Sequence, residues 1–489
     1  MPTIKKLLNN IDLIKTSNNL LENEDVGGIQ YDSRQVTSGD LFVAIKGFKT
    51  DGHLYIPQAV ANKALAVVID DPAYCSGDYP WILVKDTRKA LALLSATFYN
   101  NPSEKFLLIG VTGTNGKTTT TNLIAKIFED QGHKVGLIGT IHNRIGDKII
   151  PVERTTPESL DLQALFSQMV QEKVTCVVME VSSHALDLHR VLGSYFDIGV
   201  FTNLTPEHLD YHQTMEDYYK AKAKLFTEYL QGENKFAIIN ADDPWGQRLL
   251  KDSSSSKLSY GIDEKTDLQG SKLVITNKGV KYQVQGLSLD LKLTGKFNVY
   301  NSLAALSVAQ CMNIELSEAI QSLEKIEGIP GRFQLVPGNQ DFSIIVDYAH
   351  TADSLVNILT TAKEFAKNRI ITVFGCGGDR DRTKRPLMGE AAATYSDFCF
   401  ITSDNPRTED PQDIIADILP GVEKKIGKDK YKVIMDRKEA IKGAINLAQR
   451  DDIIIIAGKG HETYQEIKGK KYPFDDKKIA EEILKELGY

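Results

Sequence analysis

The sequence has few of the features that mark secreted, membrane-spanning or nucleic-acid-binding proteins. Its five cysteines are scattered without paired metal spacing, and their odd number disfavours a disulfide framework. No segment has roughly 18 unbroken apolar residues, and the N-terminus lacks the apolar core of a signal peptide. The formal net charge of −7 opposes a broad nucleic-acid-binding surface. We therefore expect a cytoplasmic protein with reduced thiols, without a membrane segment and without a nucleic-acid partner.

The chain length predicts several domains, because 489 residues are too many for a single core. Residues 1–104 mix short strands, predicted at 40–45, 64–70 and 81–86, with a helix at 87–99. This pattern indicates a small N-terminal α/β domain.

Two further regions alternate apolar runs with helical stretches, which is typical of parallel sheets covered on both faces. The first covers residues 105–333 and ends with short strands and turns over 251–294. The second covers residues 334–489. The predicted fold class is therefore α/β with three domains: the N-terminal domain, a central P-loop ATPase domain and a C-terminal Rossmann-like domain.

A glycine-rich loop, TGTNGKTT, follows the strand FLLIGV and opens a helix. Backbone N–H groups and a helix N-terminus in this context bind phosphate oxygens. Lys117 would contact the β- and γ-phosphates, and Thr118 would ligate Mg²⁺. Val111 replaces the first glycine of the plain P-loop pattern, so an ordinary strand-to-helix turn is the alternative. The candidate ATP-binding residues of the loop are Gly113, Thr114, Asn115, Gly116, Lys117, Thr118 and Thr119.

Polar side chains follow the next predicted strands, at the sheet edge where open α/β sheets bind ligands. Glu180 ends CVVME, and His208 lies in the loop after IGVFTN. Both could bind a cation that is also held by phosphates. Lys222 shares a helix face with Tyr218 and Phe226, so it is either a solvated lysine or a buried neutral amine. A neutral amine can react with CO₂ to form a carbamate, which is a metal ligand.

The segment SDNPRTEDP (403–411) carries one arginine among acids and prolines. A surface turn is one interpretation, because Asn-Pro and Asp-Pro favour turns. The other is a binding loop, since the segment follows the predicted strand FCFITS and therefore lies at a ligand-binding edge.

Taken together, the motifs resemble those of the Mur ligases of peptidoglycan synthesis. The resemblance spans nearly the whole chain and rests on TGTNGKTTT, MEVSSHAL, FTNLTPEHLDYH, YYKAKAKLF, GKFNVYN, GIPGRFQLV, VDYAH and GKGHE. It implies that ATP phosphorylates a carboxylate of UDP-N-acetylmuramoyl-L-alanyl-D-glutamate and that the amino group of a diamino acid attacks the acyl phosphate. The expected monomer would need Mg²⁺, ATP and a CO₂-derived carbamate on Lys222 (N6-carboxylysine).

The resemblance also implies roles for individual residues. The catalytic residues would be Lys117, Lys222, His208 and Glu180, and the metal ligands Thr118, Glu180, His208 and Lys222. ATP would also contact Asn298, Asn301, Arg332, Asp347 and His350. The UDP-substrate would be bound by Ser33, Phe48, Lys49, Thr50, Thr155, Thr156, Ser182 and Arg190. Two positions depart from the family pattern: Ala352 replaces a proline, which should loosen a turn, and Leu188 replaces a glutamine, which puts one substrate contact in doubt.

The DNPR segment resembles that of the family members that add meso-diaminopimelate. This amino acid differs from lysine by one carboxylate, which Arg407 could bind with two hydrogen bonds. The diaminopimelate-binding residues would be Arg385, Asp404, Asn405, Pro406, Arg407, Gly458 and Glu462. The alternatives are the lysine-adding ligase, a folylpolyglutamate-synthetase-like ligase, which would not need the N-terminal domain, and a regulatory P-loop NTPase, which leaves GKGHE unexplained.

Overall fold

The computed structural model describes residues 1–48, 50–152 and 154–489. It contains two compact units, Met1–Tyr260 and Gly261–Tyr489. Within the described ranges, the helices lack the length and apolar character that crossing a membrane would require.

The first region of unit Met1–Tyr260 is a five-stranded sheet with helices on both faces. Its elements are α1 (Ile4–Leu8), β1 (Leu13–Thr16), β2 (Gly28–Gln30), β3 (Asp40–Val43), α2 (Ile56–Ala61), β4 (Ala66–Ile69), β5 (Trp81–Val84) and α3 (Thr87–Phe98). The strand order is β1-β5-β4-β3-β2, with β1 antiparallel to β5 and the other neighbours parallel. Helices α1 and α3 pack on one face and α2 on the other. The predicted strands and helix of this region are confirmed.

The second region of this unit is built around six parallel strands. Its elements are β6 (Leu107–Thr112), α4 (Lys117–Asp130), β7 (Val135–Ile138), β8 (Asn143–Ile145), β9 (Lys148–Ile150), α5 (Ser159–Gln171), β10 (Cys176–Glu180), α6 (Ser183–Asp187), β11 (Ile198–Phe201), α7 (Leu209–His212), α8 (Met215–Lys224), β12 (Phe236–Asn240), α9 (Pro244–Asp252) and β13 (Ser256–Gly261). The parallel order is β13-β12-β11-β6-β10-β7, and β8 and β9 extend the β7 edge as antiparallel strands.

The position of β6 between β10 and β11 creates the binding edge of this sheet. After β10 the chain crosses β6 and adds β11 on its other side. Loops that leave a sheet in opposite directions open a crevice at the carboxyl ends of the strands. The loops after β6, β10 and β11 therefore lie side by side, which confirms the predicted grouping of their polar residues at one edge.

Unit Gly261–Tyr489 begins with an antiparallel meander covered by two helices and continues as a parallel sheet. Its elements are β14 (Leu268–Thr276), β15 (Gly279–Val284), β16 (Leu287–Leu291), α10 (Lys296–Cys311), α11 (Leu316–Glu324), β17 (Gln334–Leu335), β18 (Ser343–Asp347), α12 (Ala352–Lys363), β19 (Ile370–Phe374), α13 (Lys384–Tyr395), β20 (Phe398–Ile401), α14 (Pro411–Glu423), β21 (Tyr431–Val433), α15 (Arg437–Leu447), β22 (Ile453–Ala457), β23 (Tyr464–Ile467), β24 (Lys470–Pro473) and α16 (Asp476–Glu486).

The strand order of the second sheet is β17-β18-β22-β19-β20-β21, parallel except for β17. The run IIIIA of β22 is buried throughout because β22 is central and covered on both faces. Strands β23 and β24 form a separate hairpin. Short 3₁₀ turns cover Gly52–Tyr55, Pro72–Ser76, Pro102–Lys105 and Lys428–Lys430, and a π-helical turn covers Leu225–Tyr229.

The start of α12 shows how the chain tolerates Ala352. The Thr351 hydroxyl accepts a hydrogen bond from the Ser354 N–H at 3.2 Å, and the Ser354 hydroxyl accepts one from the Thr351 N–H at 2.9 Å. This reciprocal capping box satisfies the first helical N–H groups. The turn therefore stays well defined without the proline of the family pattern.

Helices α13 and α14 approach so closely that glycine is required at their contact. A Cβ on Gly421 would lie 1.8 Å from the Pro386 carbonyl oxygen, and one on Gly389 would lie 2.4 Å from the Ile418 oxygen. Both obstacles are backbone atoms, so a side chain at either position would force the helices apart.

We expect Gly421→Ala to destabilise the protein by about 1–3 kcal/mol through overpacking of this contact. The midpoint of thermal unfolding should fall accordingly. The control is Gly328→Ala, because a Cβ there would meet its nearest neighbour, Gln334, at 3.8 Å. An unchanged midpoint for Gly421→Ala would contradict this account of the helix contact.

Candidate functional site

The loop between β6 and α4 has the backbone shape of a phosphate-binding loop. Gly113 and Gly116 adopt φ angles of 145° and 86°, which side-chain-bearing residues rarely adopt. A Cβ on Gly113 would also lie 1.9 Å from the Thr202 hydroxyl oxygen. Helix α4 begins at Lys117 directly after the loop, so its free N–H groups face the concave side. The residues present therefore fit a nucleotide phosphate.

Two lysine amines meet at one carbonyl oxygen of this loop. Lys117 Nζ donates to the Gly113 oxygen at 2.9 Å and to the Thr114 oxygen at 2.8 Å. Lys222 Nζ donates to the same Gly113 oxygen at 2.7 Å. The predicted nucleotide lysine and the predicted carbamylated lysine are therefore neighbours.

Lys222 is buried, with 1% of its surface exposed. Its position confirms the predicted apolar face, since its amine lies 4.7 Å from the centre of the Tyr218 ring. Burial, and then the nearby Lys117 cation, lower the pKa of Lys222 well below its ordinary value. A lowered pKa favours the neutral amine, which is the form that reacts with CO₂.

Residues of the loop after β11 hold the phosphate loop in place. The Asn203 side chain accepts from the Asn115 N–H at 2.9 Å and donates to the Asn115 oxygen at 3.1 Å. The Thr202 hydroxyl donates to the same oxygen at 2.6 Å, and the Asn203 carbonyl accepts from the Thr114 N–H at 2.8 Å. Asn203 is the last residue of the sequence run IGVFTN. Its structural role is to orient the phosphate loop.

Glu180 lies at the end of β10 with 1% of its surface exposed. Its two carboxylate oxygens accept from Thr140, one from the N–H at 2.8 Å and one from the hydroxyl at 3.0 Å. Thr140 thereby fixes the carboxylate in one orientation. An ionised carboxylate has about four acceptor positions, so Glu180 retains capacity for a cation.

His208 precedes α7 in a left-handed conformation, with a φ of 56°. Its ring contacts His184 edge to face at 4.9 Å, and Glu207 lies 4.0 Å from its Nε2. Burial lowers the pKa of His208, although Glu207 acts in the opposite direction. A neutral imidazole is the form that binds metals.

The predicted metal set depends on the chemical state of Lys222. Among the residues described, no group of three or more His, Cys, Asp or Glu side chains is arranged to hold a metal ion. The predicted ligands instead comprise one carboxylate, one imidazole, the Thr118 hydroxyl and Lys222. An ammonium would repel a cation, whereas a carbamate would supply a second anionic oxygen ligand. With that modification the donor set fits Mg²⁺.

The residues predicted at the uridine nucleotide lie in the N-terminal sheet region. The Ser33 hydroxyl donates to the Gln58 side chain at 2.8 Å, and the Thr50 hydroxyl is 3.2 Å from the Tyr55 hydroxyl. Phe48 is 72% exposed, and its ring makes a T-shaped contact with the Tyr211 ring, with the centroids 5.8 Å apart. Lys49 lies outside the described residues.

Thr156, Ser182 and Arg190 come together near the end of β10. The Thr156 hydroxyl donates to the Glu180 carbonyl at 2.9 Å and accepts from the Ser182 N–H at 3.1 Å. Arg190 Nη1 donates to the Thr156 carbonyl at 3.4 Å. The Thr155 hydroxyl is 3.0 Å from that of Thr140. The structure therefore groups the four predicted muramoyl-dipeptide residues beside Glu180.

A buried carboxylate that sequence reasoning missed organises this corner. Glu158 is 4% exposed and lies within ion-pair distance of Arg88 at 3.4 Å, Arg190 at 3.3 Å and Arg154 at 3.8 Å. The cluster has more cationic than anionic groups, which suits an anionic substrate. The sequence RTTPESL is typical of a helix start with Glu158 as its cap. Arg88 lies on a distant helix, so its contact with Glu158 leaves no pattern in the local sequence.

In unit Gly261–Tyr489, the residues predicted for ATP form two separate groups. Asn298 and Asn301 lie in α10, where the Asn301 side chain donates to that of Asn298 at 2.9 Å. Asp347 ends β18 and accepts from the Phe333 and Ala349 N–H groups at 2.7 and 2.8 Å. Burial raises the pKa of Asp347 above its ordinary value, and the nearby Arg332 opposes part of this shift.

Arg332 and His350 both contact the ring of Tyr348, next to Asp347. The Arg332 guanidinium lies 4.8 Å from the centre of the Tyr348 ring, and the His350 ring is 4.6 Å from it. His350 Nδ1 is 2.9 Å from the Tyr348 carbonyl oxygen. Arg332, Asp347 and His350 are therefore brought together, as the motif comparison implies.

Residues 403–406 of the segment SDNPRTEDP are buried, so the surface-turn interpretation is wrong for this half, whereas Thr408 and Asp410 are exposed. Asp404 is 8% exposed and Asn405 is 3% exposed. Asn405 donates to Glu462 at 2.7 Å and accepts from Lys459 Nζ at 3.0 Å. Asp410 caps helix α14 by accepting from the Gln412 N–H at 2.8 Å. Each of these side chains therefore has a partner other than Arg407.

Arg407 is held in place by its backbone and its side chain. Its φ of 53° is left-handed, and its N–H donates to the Glu466 carbonyl at 3.0 Å. Nη1 donates to the Gly378 carbonyl at 2.6 Å, and Nε lies 3.6 Å from the Glu466 carboxylate. The side chain is 24% exposed. Part of the guanidinium fork is thus open to a ligand.

Arg385 has a different environment from Arg407. Its guanidinium makes two hydrogen bonds to Glu409, at 2.9 and 2.7 Å, and one to Asp417 at 2.9 Å. Only 1% of its surface is exposed. These contacts orient Glu409 and thereby the loop that carries Arg407. The sequence did not indicate this structural role of Arg385.

The remaining predicted residues complete one corner of the second sheet. Gly458 adopts a φ of 116°, and a Cβ there would lie 2.6 Å from the Asp404 carboxylate. Glu462 pairs with Lys459 at 3.0 Å. Pro406 is buried, and a Cβ on Gly378 would lie 1.9 Å from its carbonyl oxygen. Lys459, which is fully buried, was missed by sequence reasoning although it lies within GKGHE.

Comparison with known proteins identifies three family models along the chain. The Mur ligase family catalytic domain matches residues 25–99, the Mur ligase middle domain matches 111–309, and the Mur ligase glutamate ligase domain matches 331–460. These matches bear out the predicted α/β class with three domains.

Relatives cover nearly the whole chain. A protein of Caldanaerobacter subterraneus subsp. tengcongensis, named UDP-N-acetylmuramoyl-L-alanyl-D-glutamate–2,6-diaminopimelate ligase, is 49% identical over 97% of this chain and 99% of its own. A solved structure of a ligase of the same name is 33% identical, with a TM-score of 0.72, and covers 100% of this chain and 99% of that chain. The MurF ligase of Thermotoga maritima, solved in complex with ADP, shares the fold at 18% identity, with a TM-score of 0.60 over 94% of this chain and 97% of that one. The chain belongs to the Mur ligase family.

Proposed function

We propose that this protein is an ATP-dependent amide ligase of peptidoglycan precursor synthesis. It adds meso-2,6-diaminopimelate to the D-glutamate carboxylate of UDP-N-acetylmuramoyl-L-alanyl-D-glutamate. The observation that carries the proposal is the 403–411 loop, which presents a buried carboxylate at Asp404 and a partly open guanidinium at Arg407. The names of the relatives at 49% and 33% identity support the same substrates.

The reaction needs an activated carboxylate because a carboxylate and an amine do not condense at neutral pH. Transfer of the γ-phosphoryl group forms an acyl phosphate and ADP. The substrate amine then attacks the acyl carbon, the C–O bond to phosphate breaks, and a proton leaves the nitrogen. Lys117 and the N-terminus of α4 would stabilise charge on the transferred group. The glycine conformations of the loop support this assignment.

Mg²⁺, when bound, would neutralise charge on the phosphate oxygens. Thr118, Glu180, His208 and a carbamylated Lys222 would hold it. Carbamylation joins the Lys222 nitrogen to the carbon of CO₂ and releases one proton. The burial of Lys222 supports this step because it favours the neutral amine.

The other predicted residues would bind the remaining parts of the substrates. Ser33, Phe48, Lys49 and Thr50 would contact the uridine nucleotide, and Thr155, Thr156, Ser182 and Arg190 the muramoyl-dipeptide. Asn298, Asn301, Arg332, Asp347 and His350 would contact ATP together with residues 113–119. The exposed ring of Phe48 and the arginine-rich corner at Glu158 support the first two assignments.

Arg407 would bind the carboxylate that distinguishes meso-diaminopimelate from lysine, while Asp404 and Glu462 would accept from the adjacent ammonium. Arg385, Asn405, Pro406 and Gly458 would shape this pocket. Lysine would leave the guanidinium without a carboxylate partner. Loss of one partner from a buried charge pair costs about 2–5 kcal/mol, a preference of roughly thirtyfold to several thousandfold.

We further propose domain boundaries at 1–104, 105–333 and 334–489, which the family-model ranges support. The protein would act as a monomer in the cytoplasm, on small-molecule substrates and without a nucleic-acid or membrane partner. ATP as the nucleotide is supported by the ADP bound to the Thermotoga maritima relative.

The assay that tests the function measures ligation with meso-diaminopimelate, L-lysine and L-ornithine as competing amine substrates. We expect product and phosphate release with meso-diaminopimelate, dependent on both ATP and the UDP-dipeptide. Preferred addition of lysine would overturn the substrate assignment. Phosphate release without either substrate would favour a nucleotide switch.

We expect Arg407→Ala to lower kcat/KM for meso-diaminopimelate by roughly thirtyfold or more, because the distal carboxylate loses its cation. The KM for ATP should change little. Arg407→Lys should restore part of the loss, since it keeps the charge without the fork. The control is Arg450→Ala, whose side chain is 81% exposed. An unchanged affinity for meso-diaminopimelate in Arg407→Ala would exclude this role.

We expect Lys222→Arg to reduce ligation on the order of 100-fold, because a guanidinium remains charged and cannot be carbamylated. Mass spectrometry under CO₂, or NMR with ¹³C-bicarbonate, should detect a carbamate in the unmodified sequence and none in the variant. Lys220→Arg is the matched control on the same helix, since Lys220 is 64% exposed. Full activity of Lys222→Arg would rule out an essential carbamate.

A further inference from the structure

Arg437 is a fully buried arginine in the second sheet region that no motif of the sequence indicated. It is the first residue of α15, and it makes two hydrogen bonds to Asp476, the first residue of α16, at 2.8 and 2.7 Å. It also donates to the Ala457 carbonyl at the end of β22, at 3.0 Å. One side chain thus ties two helix starts to the strand that leads into Gly458.

The remaining nitrogen of this guanidinium is directed toward the candidate amino-acid site. Among the described residues, Nη1 of Arg437 is buried without a hydrogen-bond partner. It lies 3.9 Å from the Asp404 carboxylate oxygen Oδ2. A buried donor without a partner is costly, so a specific neighbour is expected to use it. A displacement of about 1 Å would bring Asp404 into hydrogen-bond range.

The charges around Asp404 leave a single negative charge without a counterion. Asp476 is paired with Arg437, and Glu462 is paired with Lys459 at 3.0 Å. Three carboxylates therefore face two cations. One ammonium group of a substrate would balance the cluster, which requires that Asp404 be ionised and correctly oriented when the substrate arrives.

We propose that Arg437, held by Asp476, is a positioning residue that fixes the Asp404 carboxylate to receive the distal ammonium of the amino-acid substrate. This inference rests on the proposed function, because it assigns the distal ammonium to Asp404. Arg437 itself does not touch the substrate. Its contribution to binding passes through the orientation and charge of Asp404.

The pH dependence of this arrangement has a defined sign. Burial raises the pKa of Asp404, and Arg437 and then Lys459 lower it. Without Arg437 the pKa of Asp404 would rise further, so the carboxylate would become protonated at higher pH. The titratable and charged groups that act on or near Asp404 are Arg437, Lys459, Glu462, Asp476, Tyr348 and Cys376.

The decisive variant replaces the buried pair with apolar residues, Arg437→Met with Asp476→Leu, since apolar replacement of a buried ion pair often preserves stability. We expect the KM for meso-diaminopimelate to rise about tenfold or more, with KM values for ATP and the UDP-dipeptide within about twofold. The acid limb of the kcat/KM profile for meso-diaminopimelate should move to higher pH. Arg437→Lys alone should show a smaller effect, because it keeps the charge.

The matched control is Arg369→Met with Asp452→Leu, which removes another arginine–aspartate pair, at 2.6 Å, from the opposite end of the same sheet. We expect this control to lower the unfolding temperature and to leave the KM for meso-diaminopimelate and the acid limb unchanged. The inference would be overturned if the Arg437 double variant kept both the wild-type KM for meso-diaminopimelate and the wild-type acid limb. If that variant does not fold, the two single variants Arg437→Lys and Asp476→Asn replace it. An unaltered pH profile of kcat/KM for meso-diaminopimelate in both of them would equally overturn the inference. Failure of the unmodified protein to add meso-diaminopimelate would instead reject the proposed function.

Discussion

The close approach of β11 to the phosphate loop is the constraint on which the first unit depends. Thr202 lies where a Cβ of residue 113 would have to be, so this position must be glycine. The same glycine offers its carbonyl oxygen to two lysine amines. Burial, and then the neighbouring Lys117 cation, lower the pKa of Lys222. The glycine that the backbone requires therefore also brings the two lysine amines together.

In the second unit, the charged groups brought together by burial are mainly carboxylates rather than amines. Asp404, Glu462 and Asp476 are carboxylates in or near a buried corner, and Lys459 and Arg437 supply most of the compensation. Burying charges is costly unless partners are close, and these two cations offset part of the cost of burying the carboxylates. Arg385 contributes in the same way from outside, through Glu409 and Asp417. In the same region, the Arg407 side chain remains 24% exposed.

Sequence reasoning found most strands and the phosphate loop, because apolar periodicity and glycine spacing are local signals. For Lys222 it left a solvated lysine and a buried amine as alternatives, and the structure decided for burial. Sequence reasoning placed Glu180 and His208 at one sheet edge, and the position of β6 between β10 and β11 agrees. It did not find Glu158, Lys459 or Arg437. Besides the local partners Glu462 and Arg154, these residues have partners from distant segments: Arg88 for Glu158, Asn405 for Lys459 and Asp476 for Arg437. Long-range ion pairs leave no spacing pattern in a sequence.

The sequence by itself determined the fold class, the order of the elements and the family, since each follows from patterns within short windows. Only the tertiary structure decided what the individual charged side chains do. Arg385 and Arg407 were both predicted to bind the amino-acid substrate, yet one is enclosed by two carboxylates and the other is partly open. The physical reason is that a charged group's role depends on its burial and its partners, and both arise when separate strands bring their loops to one edge.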